Sequence, residues 1–491
     1  AERFAVDRSL PAAAPDWGSD LFPQLGAILR QGVGTKDEWY INVMVPSFAA
    51  DWVPSEYGAF AAIFARGVPI AGAFAGGYAE KEELFMSRVH LARNRGSDEE
   101  RRQSLFHSGQ RKLTDFTALP RQDYLVADLS IEKPIYRSLE TGAHEHMVPT
   151  SEWPAVPQTG RGPVRWRRQM LFVKGDRATE AGYLLLRDTV SGGQPTMWQM
   201  WTVSEKIGTP QQARDVTQFL ADKPGNRLMP ARELSGDRFT AVGPFGVDTE
   251  FYVASPAATP RHTLRWGKTY NLSPIDGFAE YMDLLHLQRT DDGSYYVVMF
   301  PRKREERVPD FQTLAGGRII RIHGDFGTDY AFLAESEQSA SAEGVSFRGT
   351  AGSVQNRGNG LVLALGAKGE IRSGEYRLSA DHAISLRVGV DELTVVAARA
   401  SPQRITIAAP GEWELATSGP GAKLVGTSGT LTLTLGEGVA RATLRKKGIS
   451  RKLGTNTSPL DQKRSFFQAA PNRPGFNTSN SRWYSAWCLR P

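Results

Sequence analysis

His90 lies in the segment LFMSRVHLARN, residues 84–94, with Arg88 two positions before it and Arg93 three after. Histidine is the side chain whose proton moves near neutral pH, and arginine's planar fork holds both oxygens of an acid group. In an extended strand Arg88, His90 and Ala92 share one face and Arg93 points to the other. A histidine and an arginine side by side suit proton transfer next to an anion. The same histidine would equally serve as a strand residue hydrogen-bonded to backbone. His107, in SDEERRQSLFHSGQR with Arg101, Arg102 and Arg111, sits in a charged segment that reads as a loop, either touching a polyanion or simply solvated. His144 and His146 share one face of a strand and are spaced for chelation, but no third ligand stands at a recognisable distance, so no metal is expected. Trp166, Trp198 and Trp201 offer ring faces either to a pyranose or to the core.

The elements that must carry these residues are strands. WRRQMLFVKGDRATEAGYLLLRDTV, Trp166 to Val190, reads as a hairpin of Arg168–Lys174 and Gly182–Val190, with Asp188 near its end. Period-2 patterns run from about Trp39 to about Arg445, and Gly67-Val68-Pro69 marks a turn between two of them. A short helical pattern spans Leu21–Arg30, and Gln211–Leu220 fits one or two helical turns. From Ser339 the strands become short, with small-residue turns between them. The expected class is all-β: a large antiparallel β-sandwich followed by a smaller one. The boundaries read as a lead segment 1–36, the large sandwich 37–335, the smaller one 336–445 and a basic tail 446–491.

A chain of 491 residues with 23% charge and 10% aromatics is globular rather than disordered, and long enough for two or three domains. No apolar run reaches the roughly 18 residues a membrane span requires. The net charge of +6 favours acidic partners, yet six basic residues crowd into Arg441–Lys452, which reads as a solvated strand end rather than a nucleic-acid tail. The lone cysteine, Cys488, leaves the fold without internal disulfides. Gly-rich phosphate loops, G-x-S-x-G elbows and C-x-x-C pairs are absent from the sequence, which removes support for nucleotide and serine-hydrolase chemistry.

Several segments, in order, resemble the β-sandwich region of heparinase II/III-like polysaccharide lyases. SEYGAFAAIFARGVPIAG resembles the family's strand pair after H-G-H-x-D, and LFMSRVHLARN its S-x-H-N-T-like strand, with His90 at the histidine. RRQMLFVKGDRATEAGYLLLRDTV is similar to R-x-x-L-F-V-K-x-x-Y-x-x-x-x-D. HGDFGTDYAFLAES, GVSFRGTAG and GNGLVLALG resemble the closing part of that region, so the resemblance covers roughly residues 40–380. Against H-G-H-x-D this chain reads Trp52-Val53-Pro54-Ser55-Glu56, with both histidines replaced.

The resemblance implies β-elimination on an acidic, uronate-containing polysaccharide, in a secreted or periplasmic setting. It implies His90, Tyr57 and Glu56 as catalytic candidates, and Arg88, Arg93, Trp52 and His107 as substrate contacts. It implies a partner or upstream α/α toroid that supplies a tyrosine base, because the helical half is not in this sequence. No cofactor, metal, nucleic acid or membrane span is expected. A non-catalytic module that binds polyanionic glycans stays open beside the enzyme.

Overall fold

A computed structural model of the chain describes residues 17–45 except 24, and 58–72, 86–91, 103–107, 111–131, 134–138, 163–221, 232–269, 279–399, 401–418, 421–426 and 428–448. Only the backbone is described at 91, 103–107, 131, 134–138, 221, 264, 266–269, 279–281 and 418. The described residues up to Lys447 form one compact unit.

The fold is all-β. Among the described residues, strands assemble into a ten-stranded, an eight-stranded and a thirteen-stranded antiparallel sheet, with the pair Gln103–His107 and Pro134–Ser138 apart. The first sheet carries Gly26–Gln31, Trp39–Met44, Ala59–Ala65, Val68–Gly72, Thr196–Thr202, Ala279–Arg289 and Arg261–Thr269 in spatial order. The second runs through Val247–Ser255, Gly293–Lys303, Tyr183–Ser191, Val164–Val173, Gln122–Ile131 and Arg111–Ala118. The third begins at Asp310–Leu314 and ends with Arg441–Lys446.

The second sheet is buried on both faces, which explains the continuous apolar runs MLFV and YLLL. Leu125, Trp166, Met170, Phe172, Leu184 and Leu186 face the first sheet, where Leu29, Ile41, Trp198 and Leu285 meet them. The alternate residues Tyr124, Leu171, Val173, Tyr183 and Leu185 pack on Phe311, Ile320, Ile322 and Leu333 of the third sheet. Inside the third sheet a further core gathers Phe332, Phe347, Leu363, Leu386, Ile405 and Trp413. The strand Gly327–Ala342 contributes to both of these cores, with a break in its pairing between Leu333 and Gln338.

The hairpin read from Trp166 to Val190 is present as Val164–Val173 paired with Tyr183–Ser191, with Trp166 opposite Val190 and Arg168 opposite Asp188. Helices Pro210–Arg214 and Val216–Ala221 occupy the stretch with helical turns, the first capped by Thr209 and Gln212. The helical pattern at Leu21–Arg30 is not realised: Asp20–Phe22 and Gly26–Gln31 are strands of the first sheet. Pro23 and Gly26 interrupt any helix there, and Ala27 and Leu29 take alternate inward positions instead. The charged segment around His107 is likewise not wholly a loop, since the backbone of Gln103–His107 pairs with Pro134–Ser138.

The expected turn before Val68 is a two-residue hairpin at Arg66 (φ 55) and Gly67 (φ 79), both in the left-handed region. A Cβ on Gly67 would lie 1.9 Å from the Lys36 carbonyl oxygen. Gly67→Ala is therefore expected to cost at least about 1–3 kcal/mol, the range for strained backbone. A fall in melting temperature checks this, and an unchanged one would show that the turn relaxes freely.

Candidate functional site

Alternation along Val164–Val173 turns Trp166 and Arg168 toward the first sheet, and the hairpin register sets Asp188 opposite Arg168. The guanidinium binds the carboxylate through both arms, Nε to Oδ1 at 2.7 Å and Nη2 to Oδ2 at 2.9 Å. Trp166 Nε1 donates to Oδ1 at 2.7 Å and Trp198 Nε1 to Oδ2 at 2.8 Å. Arg168 Nη1 donates to the carbonyls of Gly58 and Ser87, the latter at 3.3 Å. Arg168 and Asp188 are both 0% exposed, so full pairing is what makes two buried charges tolerable. The arrangement also places two chain segments. Gly58 directly follows Glu56 and Tyr57, and Ser87 directly precedes Arg88 and His90. The ion pair is thus an anchor for the chain at Gly58 and at Ser87.

His90 sits in the short strand Val89–Leu91, which pairs with Thr196–Thr202 so that Val89 faces Trp198 and His90 faces Met197. Val89 and Trp198 belong to the core between the first two sheets, so His90 projects from the sheet's other face. Its Nε2 lies 3.0 Å from the Met86 carbonyl. On that same outer face the register brings Gln199 opposite His286, and His286 opposite His262. The rings of His262 and His286 are 6.1 Å apart, and Gln288 lies one alternate position beyond His286. Three imidazoles and two amides therefore share one region of the sheet. His90 and His286 are each 1% exposed, so the region is dry.

Burial, then the neighbouring His262 and His90, push the His286 imidazole down to about 3. His262 is lowered as well, by burial against a smaller opposing effect of Glu233. His286 is therefore a neutral hydrogen-bonding group near pH 7 and a poor base. An unfolded histidine titrates near 6.5, so the folded state binds fewer protons between that pH and about 3. The stability this contributes is complete above 6.5 and is lost as pH falls. Between pH 7 and 5 the loss is about 2 kcal/mol. Urea unfolding of the wild type and His286→Gln checks it: the variant should lose this part of the pH slope, and identical slopes would refute it.

Arg88 and His90 do not present to one face. The Arg88 guanidinium lies 5.3 Å from the Trp166 ring centroid, inside the sandwich, with Nε donating to the Val89 carbonyl at 3.1 Å. The reason is local: Ser87 forms an isolated bridge to Phe60, and the chain enters regular pairing only at Val89. Trp166, Trp198 and Trp201 are 0–1% exposed, so they are core residues and not stacking faces for a sugar. Trp52, Glu56, Tyr57, Arg93, His144 and His146 lie outside the described residues. The backbone of His107 ends its strand opposite Pro134, and its side chain is outside them. Among the described residues no group of three His, Cys, Asp or Glu side chains is placed to hold a metal ion. No helix among them is long and apolar enough to cross a membrane.

His262 and His286 were not singled out from sequence, although LLHLQR carries a signal. Leu285 and Leu287 take the inward positions, which assigns His286 to the opposite face.

No family model and no curated protein matches this chain. Among solved structures it is similar to heparan sulfate lyase HepC from Pedobacter heparinus, with a TM-score of 0.40 and 9% identity over 65% of this chain and 43% of that one. A heparinase III gene product gives a TM-score of 0.41 and 11% identity over 70% of this chain and 43% of that one. Another structure of heparinase III gives 0.39 and 8% over 71% and 42%. The chain spans less than half the length of these proteins, and the likeness is one of distant fold.

Proposed function

We propose that this chain is the β-rich part of a polysaccharide lyase that cleaves an acidic, uronate-containing polysaccharide by β-elimination. The observation that supports it most is the outer face of the first sheet, where His90, the histidine of the resembling strand, stands with His262, His286, Gln199 and Gln288. Of these side chains only His262 is partly exposed, so a sugar would approach the group from there, and the amides with the neutral imidazoles of His262 and His286 suit hydroxyl and acid oxygens.

In the proposed reaction a base takes the C5 proton, and the electron pair becomes the C4–C5 double bond. The C4–O bond breaks and the leaving oxygen takes a proton. Cations or donors at the C6 carboxylate lower the barrier by stabilising the enolate-like charge. His90 is assigned to proton transfer or to donation at the carboxylate, Tyr57 to acid–base transfer and Glu56 to orienting it. Trp52, Arg93 and His107 are assigned to substrate contact. Arg88, with its head against Trp166, is assigned to holding the strand of His90 rather than to the substrate. The tyrosine base of a helical toroid, upstream or separate, would complete the site, and a secreted or periplasmic location fits this reading.

The second reading is a binding module for polyanionic glycans. The replacement of both histidines at Trp52-Val53-Pro54-Ser55-Glu56 and the weak basicity of His286 favour it. Ultraviolet absorbance during incubation with alginate, heparan, chondroitin, hyaluronan and ulvan separates the two. The lyase gives a rise on at least one. No rise, with retardation in a gel containing one of them, would replace it by the module; neither response would remove both.

A further inference from the structure

A pocket opens at the seam between the second and third sheets, away from the face that carries His90. One wall is Asp115 and Thr117, from the edge strand Arg111–Ala118. The others are Lys368, between Gly360–Leu365 and Gly369–Ser373, Asp381 and His382, before Ile384–Val388, and Arg399, after Glu392–Ala397. Thr117 Oγ1 donates to the Gly366 carbonyl at 3.1 Å and closes the floor. The cavity measures about 180 Å³. That is below the roughly 300–1,000 Å³ of sites for drug-sized ligands, so the occupant is a single small unit.

The lining charges are only loosely matched. Lys368 and Asp381 stand 3.9 Å apart with about 70% of each side chain exposed, at the limit of an ion pair. Arg399 offers its guanidinium with no ion-pair partner among the described residues. Burial raises the Asp115 carboxyl above its usual range, and the charge of Arg399 opposes that shift. Such a lining selects against three ligand classes. An apolar molecule would bury charges against nothing. A bare inorganic anion would meet Asp115 and Asp381 as well as the cations. A neutral sugar would leave Arg399 without an ion-pair partner. A small ligand with one acid group and several hydroxyls answers all of it, the acid on Arg399 and Lys368, the hydroxyls donating to the carboxylates.

We infer that the seam pocket binds a single acidic sugar unit, as a second glycan contact separate from the face of His90. The inference borrows the ligand class from the proposed function but needs no elimination to occur. The second sheet, with a packed core on each side, separates the two places.

The test is histidine-labelled NMR on the full chain, with the His382 signal identified by its disappearance in His382→Gln. Glucuronic acid should shift that signal saturably, while glucose and inorganic sulfate should bind at least tenfold more weakly. Arg399→Ala and Lys368→Ala, at exposed positions, should each weaken glucuronate binding about tenfold or more. No shift, an equal response to sulfate or glucose, or unchanged binding in the variants would overturn the inference. A monosaccharide offers no glycosidic bond to cleave, so failure here leaves the elimination assay unaffected, and failure there leaves this result standing.

Discussion

Asp188→Ala is expected to cost about 3–5 kcal/mol of stability, the range for stripping one partner from a buried ion pair. The variant would leave the Arg168 guanidinium in the core with two backbone carbonyls for company, and both indole N–H donors of Trp166 and Trp198 without an acceptor. It would also open a gap between three strands, since Asp188 joins Val164–Val173, Tyr183–Ser191 and Thr196–Thr202. The urea midpoint should fall strongly with the slope preserved. The exposed pair Arg167–Asp128, at 3.2 Å with both side chains more than a third exposed, supplies the contrast. Arg167→Ala should change stability by no more than about 1 kcal/mol. Replacing both buried partners, Arg168→Met with Asp188→Leu, should cost less than the two single changes added together, because neither charge is then orphaned. A mild Asp188→Ala, close to the Arg167 result, would show that water reaches the pair and that it does not anchor the segments at Gly58 and Ser87.

His90→Gln is expected to lower kcat by about 10²–10⁴, the usual share of a positioned proton-transfer group. Glutamine keeps a donor that can reach the Met86 carbonyl, so the strand Val89–Leu91 should hold and the melting temperature should move little. The combination is what matters. Loss of turnover with an intact fold assigns chemistry to the histidine. Full turnover in His90→Gln would make it a strand histidine satisfied by backbone.

The parts of this protein that sequence exposed and those it hid differ in a physical way. Strand identity follows from local alternation and turn chemistry, so the hairpin around Arg168 and the turn at Gly67 were legible. Leu21–Arg30 misled because Leu21, Leu25 and Ile28 fall at helical spacing, while the deciding facts were Pro23, Gly26 and a neighbouring strand to pair with. Burial depends on layering, which no window of sequence contains. Of the three tryptophans offered as stacking faces, Trp166 and Trp198 lie in the core between the first two sheets, and Trp201, on the other face of its strand, is equally buried. Arg168 and Asp188 are 20 residues apart, and only the register of the hairpin makes them partners. The meeting of His90, His262 and His286 needs the registers of three separate strand pairs, so it was invisible until the sheet order was known. Arg88 was misplaced for a smaller reason: strict alternation was assumed from Arg88 through His90 to Ala92, while regular pairing begins only at Val89.

Elimination leaves a mark that hydrolysis and mere binding do not. The proton NMR spectrum of an acidic polysaccharide digested with the full chain should show a vinyl signal from the new C4–C5 double bond, growing in step with new chain ends. New ends without the vinyl signal, or a polysaccharide left at its original length on every member of the panel, would contradict the account.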